Sequence, residues 1–183
     1  MNTQLASFID DLRSTHGGSL VSVILYGSAA AGDFIPNRSD YNILITLKQI
    51  TPSDLRNSFP CIREWHHLGH PIPVYFSLDE IAHAADVFPI EFRQMTIAHR
   101  VLFGSDVLAG LDISDTFLRH QAEYELRSKL ILLRRQYIPA SSSVDKLKAL
   151  MSDSLTSFSA LFRAVLILHG IEPPATKHEI VAM

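Results

Sequence analysis

Cysteine is nearly absent from this sequence of 183 residues, which contains only Cys61. A single thiol excludes a framework of internal disulfides and is typical of a reducing compartment. No sign of charge dominates, because the formal net charge is -3 and the pI is near 6.3. General attraction to a polyanion is therefore not expected, and nucleic-acid binding would require a local basic patch.

Long hydrophobic runs are also lacking. No stretch approaches the ~20 consecutive apolar residues of a membrane-spanning helix, and the acidic, amphipathic N-terminus does not have the pattern of a targeting signal. We therefore expect a cytoplasmic protein that does not bind a membrane and whose partners are small ligands.

The composition, 47% hydrophobic and 19% charged, is sufficient for one substantial core or two small ones. The apolar pattern of the first part predicts alternating helices and strands. The predicted elements begin with an amphipathic helix ending at Gly17-Gly18 and strands at 19–26 and 40–47. Helical turns follow Thr51-Pro52 and are interrupted by Pro60, and a strand at 72–77 comes next, whose prolines suit an edge or a strand start. A helix capped by Ser77 and Glu80 and a short strand leading into a turn at 100–106 complete this part.

From about Ser114 the pattern becomes entirely helical. We predict one long helix ending near Pro139, a second that Ser143 caps and that ends at Gly170, and a third that Thr176 and Glu179 open. The chain is thus predicted to be a mixed α+β domain at 1–112 and a helical domain at 113–183. Because the last helix has barely two turns, we expect the helical region to continue or to be completed by a partner, such as a second copy in a homodimer.

One segment, LYGSAAAGDFIPNRSDYNILI at 25–45, contains the residues that best indicate a function. Gly27 and Ser28 form a turn that can offer backbone N–H groups and a hydroxyl to phosphates. Asp40 and Asn42 are two residues apart in a predicted strand, so both side chains are expected on one side, where they could hold a metal ion. Alternatively, the Gly-Ser pair is an ordinary strand-ending turn, Asp40 terminates a strand, and a backbone group satisfies the amide of Asn42.

The same segment resembles the signature of the DNA polymerase β-like nucleotidyltransferase superfamily, in which Gly-Ser, a short helix and a loop precede Asp-x-Asp on the next strand. The resemblance implies a mixed sheet flanked by helices, with Gly27 and Ser28 at the phosphates of a nucleoside triphosphate. It also implies that residues 40 and 42 bind Mg²⁺ and take part in catalysis. The helical part from Ser114 is similar to the domain that follows in aminoglycoside nucleotidyltransferase-like proteins.

Two departures from this signature bear on activity. Asn42 stands in place of the second acid, and the predicted strand at 72–77 has no carboxylate where the family has a third acid. A site with one acid neutralises two Mg²⁺ ions poorly, and the rate could fall by ~10²-fold or more. Two hypotheses follow. Either the protein transfers a nucleoside monophosphate to a small-molecule or protein hydroxyl, with Asn42 as a weak ligand, or it binds a nucleotide or a partner protein without catalysis.

Two further groups of polar residues are weaker candidates. His66, His67 and His70 lack a nearby cysteine or acid at zinc-ligand spacing, so we expect solvated loop residues there. A basic segment of the first long helix is expected to be a solvated face, or to offer one side chain to a phosphate. That segment comprises Arg127, Lys129, Arg134 and Arg135.

Overall fold

The computed structural model describes residues 3–32, 40–174 and 177–182. Its contacts divide the chain into two compact units, the first formed by 1–85 with 92–112 and the second by 86–91 with 113–183.

The first unit contains a mixed sheet of four strands. These are β1 (Leu20–Tyr26), β2 (Asn42–Leu47), β3 (Val74–Ser77) and β4 (His99–Gly104), in the order β3-β2-β1-β4. Strand β1 is antiparallel to β2 and β4, whereas β2 and β3 are parallel. The prediction of an edge strand after Pro71 and Pro73 is confirmed, since prolines cannot complete the ladder of a central strand.

Helices precede, connect and follow these strands. The described helices of this part are α1 (Thr3–His16), a 3-10 turn (Gly17–Ser19), α2 (Ser28–Ala31), α3 (Pro52–His67), α4 (Leu78–His83) and α5 (Pro89–Ile97), of which α5 begins in the second unit. The predicted capping box at Ser77 and Glu80 is confirmed, because each residue's side chain accepts a hydrogen bond from the other's backbone N–H.

Alternation along β1 and β2 assigns their side chains to two faces of the sheet. On one face, the Val23–Ile45 and Leu25–Ile43 pairs join the buried apolar residues of α1 and α3 in a single core cluster. The side chain of Asn42 lies on the other face, because Asn42 is next to Ile43 in the alternation. On that other face, Phe76 of β3 packs against Phe92 of α5 with ring centroids 5.5 Å apart.

Each predicted strand differs from the observed one by one or more residues at its ends, and two differences from the prediction concern β2 and α3. Strand β2 begins at Asn42, so Asp40 lies two residues before the ladder. Helix α3 continues through Pro60, although proline removes one helical hydrogen bond. The helix has compensating support, since Thr51 and Asp54 form a capping box and the side chains of Cys61 and Trp65 are buried.

The second unit contains α6 (Asp115–Ala140), α7 (Val144–Leu168) and α8 (Lys177–Ala182), as the pattern predicted a helical region. The side chains of Ser114 and Ser143 accept hydrogen bonds at the starts of α6 and α7. The core cluster of this unit comprises Ile90, Leu118, Ala122, Leu161 and Ala164. Thr176, the predicted cap of the last helix, lies outside the described residues.

No single helix among 3–32, 40–174 and 177–182 is long and apolar enough to cross a membrane. The two parts of α7, Val144–Leu155 and Ser157–Leu168, meet that criterion only together, with a bend of 43° between them.

Candidate functional site

The turn after β1 depends on the backbone of Gly27. Its φ of 78° and ψ of -153° are strained for residues with a side chain, which explains glycine at this position. The Gly27 N–H donates to the Ala98 carbonyl at 3.0 Å, and its own carbonyl accepts from Ala30 and Ala31. Ser28 follows as the first, exposed residue of the four-residue helix α2. Ser28 is therefore at the protein surface, and the N–H groups of Ser28 and Ala29 precede the first hydrogen bonds within α2.

Asn42 lies directly beside this turn. It is half-buried and pairs with Tyr26, the last residue of β1, in the antiparallel ladder. A Cβ atom built on Gly27 would lie 3.5 Å from the Asn42 side-chain nitrogen. The structure thus brings Gly27 and the Asn42 amide together, because Tyr26, the last residue of β1, pairs with Asn42, the first residue of β2.

Asp40 is less firmly positioned. It is exposed and precedes β2, so strand alternation does not fix the direction of its side chain. The prediction that Asp40 and Asn42 project from one strand is wrong in that respect. The roles of Gly27, Ser28, Asp40 and Asn42 in binding or catalysis stay predictions.

His70 is a neighbour of Asp40 that the sequence did not reveal. Its ring contacts those of Trp65 and Tyr41, with centroid distances of 4.4 and 4.8 Å. Burial lowers the pKa of His70, while the charge of Asp40 acts in the opposite direction. Within the described residues, neither ring nitrogen of His70 has a hydrogen-bond partner.

The expectation of solvated loop histidines is consequently wrong for His70, which is only 9% exposed. His66 and His67 are exposed, but they lie in the last turn of α3 rather than in a loop. His66 contacts the His70 carbonyl through its Nδ1 at 3.0 Å. No local pattern indicated the burial of His70, because its aromatic neighbours come from α3 and from the segment before β2.

The described residues do not fit a pair of divalent metal ions. In 3–32, 40–174 and 177–182, no three histidine, cysteine, aspartate or glutamate side chains converge in a way that could hold a metal ion. Asn42 has one amide oxygen beside the turn, and Asp40, whose direction the strand does not fix, has one carboxylate. One carboxylate would correspond to the partial ligation that proteins give to Mg²⁺ when substrate phosphates supply the remaining oxygens.

A groove of about 280 Å³ lies elsewhere in the first unit, between α1 and α3. Its floor includes Phe8, Cys61 and Trp65, and Asp11 and Glu64 lie along it. These floor residues belong to the core on the face of the sheet opposite to Asn42. The groove therefore does not include any of the four predicted site residues.

The remaining candidates, the basic residues of α6, lie in the second unit. In the same unit, the Gln121 side chain donates to Glu91 at 2.8 Å and accepts from the Ile90 N–H. The basic residues of α6 are exposed or half-buried, and Lys129 pairs with Glu125 at 3.3 Å.

No protein-family model and no curated protein matches this chain. Among solved structures, the spectinomycin adenyltransferase AAD(9) of Enterococcus faecialis, solved with ATP and spectinomycin, is similar over 97% of this chain and 79% of that chain. The identity is 15% and the TM-score 0.62. A toxin-antitoxin structure with AMP-PNP is similar over 69% of this chain and 94% of that chain, with 14% identity and a TM-score of 0.38. The likeness to AAD(9) shows that the chain has a nucleotidyltransferase-like fold, an α+β unit with a mixed sheet followed by a helical region.

Proposed function

We propose that this protein binds a nucleoside triphosphate at the turn between β1 and α2, and that it transfers nucleotides slowly or not at all. The observation that carries the proposal is the approach of Asn42 to the Gly27-Ser28 turn, where β1 ends and β2 begins. The side-chain nitrogen of Asn42 lies at contact distance from where a Cβ of Gly27 would be. The solved adenyltransferase with this fold contains ATP, which supports a nucleotide as the ligand.

The turn has the chemistry that phosphates require. The N–H groups of Ser28 and Ala29 precede the first hydrogen bonds of α2, in which Ala30 and Ala31 donate to the Gly27 carbonyl. Glycine allows a phosphate to approach the backbone closely. Ser28 adds a hydroxyl, which can donate to a phosphate oxygen. The amide of Asn42 can both donate to a phosphate and accept from a ribose hydroxyl, so it suits nucleotide binding even without a metal ion.

In this proposal, Mg²⁺ binds the protein together with the nucleotide. Mg²⁺ is usually held in proteins by one or two carboxylates together with substrate phosphates. Asp40 is the described carboxylate nearest in sequence to the turn, and we assign it as the contact with the Mg²⁺ of the incoming nucleotide. Asn42 would be at most a weak, neutral ligand.

The same donor set argues against rapid transfer. In transfer, an acceptor hydroxyl oxygen bonds to the α-phosphorus, the bond to pyrophosphate breaks, and the acceptor proton leaves to a base. Charge builds up on the leaving pyrophosphate, and fixed charges must stabilise it. The described residues offer one carboxylate to position the metal that would do so. We therefore favour a nucleotide-binding protein over an efficient enzyme.

Adenylyl transfer to a small-molecule hydroxyl is the second candidate. The likeness to an adenyltransferase solved with ATP and spectinomycin favours it, because a similar fold can place an acceptor beside a nucleotide. It requires the single carboxylate at 40 to be sufficient for catalysis.

Calorimetric titration with ATP and GTP, with and without Mg²⁺, tests the proposal. We expect binding that Mg²⁺ strengthens, and no formation of labelled nucleotidyl product with a panel of aminoglycosides, spectinomycin and protein acceptors. Ser28→Ala should weaken binding, whereas Ser53→Ala on α3 should not. Absence of any binding would refute the nucleotide proposal, and turnover with an acceptor would establish the enzyme instead.

A further inference from the structure

Four buried rings form a continuous series of contacts in the first unit. Phe8 stacks on Trp65 with ring centroids 4.3 Å apart, and His70 contacts Trp65 at 4.4 Å and Tyr41 at 4.8 Å. None of these four residues is more than 9% exposed. We call them the aromatic series. The series ends at Tyr41, which directly follows Asp40 in the sequence.

The end of α3 determines where His70 lies, because two side chains of its last turn contact the backbone that follows. The Nδ1 of His66 contacts the His70 carbonyl at 3.0 Å, and the indole N–H of Trp65 donates to the Pro71 carbonyl at 3.1 Å. The backbone at His70 and at the next residue is therefore tied to α3. This attachment places the imidazole beside the ring of Tyr41.

The contact between His70 and Tyr41 is one of ring against ring. Within the part of the chain that the structure describes, neither ring nitrogen of His70 has a hydrogen-bond partner. Tilted aromatic rings at centroid distances of about 4.5 to 7 Å attract each other. Since the flat ring rather than a hydrogen bond holds Tyr41, phenylalanine at position 70 should hold it as well.

Asp40 depends on this contact because the sheet does not hold it. Strand β2 begins at Asn42, so Asp40 and Tyr41 both precede the ladder. Tyr41 is nonetheless buried and belongs to the core cluster of the first unit. The charge of Asp40 opposes the lowering of the His70 pKa by burial, so this carboxylate lies within electrostatic range of the ring. The aromatic series thus fixes the chain one residue away from the candidate metal contact.

We propose that His70 is a positioning residue for Asp40. Together with Trp65 it anchors Tyr41, and it thereby fixes the backbone from which the Asp40 carboxylate reaches the Mg²⁺ of a bound nucleotide. The inference rests on the nucleotide proposal for the role of Asp40. Because Mg²⁺ requires a nearly ideal octahedral arrangement of its ligands, a carboxylate on a loosened backbone binds it less well.

Calorimetric titration with ATP at several Mg²⁺ concentrations provides the first test. Loss of a contact that orients a metal ligand typically lowers metal affinity by about 10- to 100-fold. We expect His70→Ala to lower the Mg²⁺ affinity of the ATP complex about tenfold. ATP binding without Mg²⁺ should change less than about twofold, since it depends on the turn after β1.

Two control variants separate positioning from stability. His70→Phe keeps the ring contact and should retain the Mg²⁺ affinity of the wild-type chain. Leu12→Ala removes a fully buried side chain from the same core cluster and should also retain it, although it destabilises the fold. Circular dichroism checks that each variant is folded. If His70→Ala does not fold, Tyr41→Leu removes the same ring contact with a smaller loss of buried volume and should give the same result.

Nuclear magnetic resonance relaxation provides a second test that needs no nucleotide. The backbone amides of Asp40 and Tyr41 should have order parameters near ~0.85 in the wild-type chain and in His70→Phe. In His70→Ala or Tyr41→Leu, the value at Asp40 should fall below ~0.6.

The outcomes distinguish this inference from the nucleotide proposal. A wild-type chain that does not bind ATP would refute the nucleotide proposal, and the relaxation measurement would still decide whether His70 fixes the backbone at Asp40. Unchanged Mg²⁺ affinity and a rigid Asp40 amide in His70→Ala would overturn the positioning role. An equal loss of Mg²⁺ affinity in Leu12→Ala would reduce the contribution of His70 to general stability. An equal loss in His70→Phe would contradict the ring contact as its cause.

Discussion

Asn42 determines how much negative charge the candidate site offers to a metal ion. We predict that Asn42→Asp tightens Mg²⁺-dependent ATP binding by about tenfold, or ~1.4 kcal/mol, because it adds a second carboxylate beside the turn. Calorimetric titration at several Mg²⁺ concentrations measures the effect. Asn57→Asp adds the same charge on an exposed position of α3 and should leave ATP binding unchanged. Unchanged affinity in Asn42→Asp would show that residue 42 does not contact the metal.

Gly27 has a positive φ and lies beside the Asn42 side chain, and substitutions can separate the effects of these two features. Its positive φ of 78° disfavours any side chain, as does the φ of 49° at Gly17. Alanine at either position should therefore destabilise the protein by about 1 kcal/mol. Only at Gly27 would the new Cβ contact the Asn42 amide, whereas the space at Gly17 is open. Because Gly17 lies just before the opposite end of β1, we predict that Gly27→Ala alone weakens ATP binding.

Chemical denaturation and ATP titration of both variants make the comparison. Equal losses of stability with equal, unchanged ATP affinity would place the nucleotide elsewhere.

At the level of elements, the close approach of β1 and β4 depends on Gly104. A Cβ atom there would overlap the carbonyl oxygen of Val21, and the φ of Gly104 is 76°. The backbones of β1 and β4 come this close beside the irregularity in their ladder, where the register shifts between Val23 and Ile24. We predict that Gly104→Ala destabilises the protein by several kcal/mol, far more than Gly17→Ala, since backbone atoms must move. Equal midpoints of urea unfolding for the two variants would contradict this account.

Local patterns were sufficient to predict most elements of the fold. The buried residues of α1 follow helical spacing, and the capping residues at Ser77 and Ser143 lie at the starts of α4 and α7 as predicted. Pro60 was misinterpreted because a local rule ignores what packing against the core adds to α3. The burial of His70 was missed because its neighbours, Trp65 and Tyr41, lie in separate elements. The start of β2 after Asp40 depends on pairing with Tyr26, which no local pattern contains.

At the level of the whole molecule, the two units differ in the size of their cores. The cluster that joins α1, α3 and the sheet contains thirteen buried residues, whereas the described cluster of the second unit contains five. Burial of apolar surface is the main favourable contribution to folding, so the helical unit should be the less stable. Two-state unfolding is therefore not expected.

The single tryptophan allows the two units to be observed separately. Trp65 is 1% exposed in the core of the first unit, so its fluorescence reports unfolding there. Helices α6 and α7, with 26 and 25 residues, contribute much of the far-ultraviolet circular dichroism. We predict that the dichroism signal begins to fall at a lower urea concentration than the fluorescence signal. Coincident transitions would show that the units unfold together.

The pH dependence should distinguish the two transitions further. Burial lowers the pKa of His16 and of His70, both of which lie in the first unit. Their unfolded forms therefore bind more protons than their folded forms as the pH falls below about 6.5, and the free energy of unfolding decreases. The carboxylates with lowered pKa values, Asp54 and Asp106, lose their contribution only in more acidic solution. Between pH 7.5 and 5.5, we predict that the fluorescence midpoint falls while the early dichroism phase does not move, and that His70→Phe reduces the shift. A dichroism phase that moved equally would mean that protonation destabilises both units.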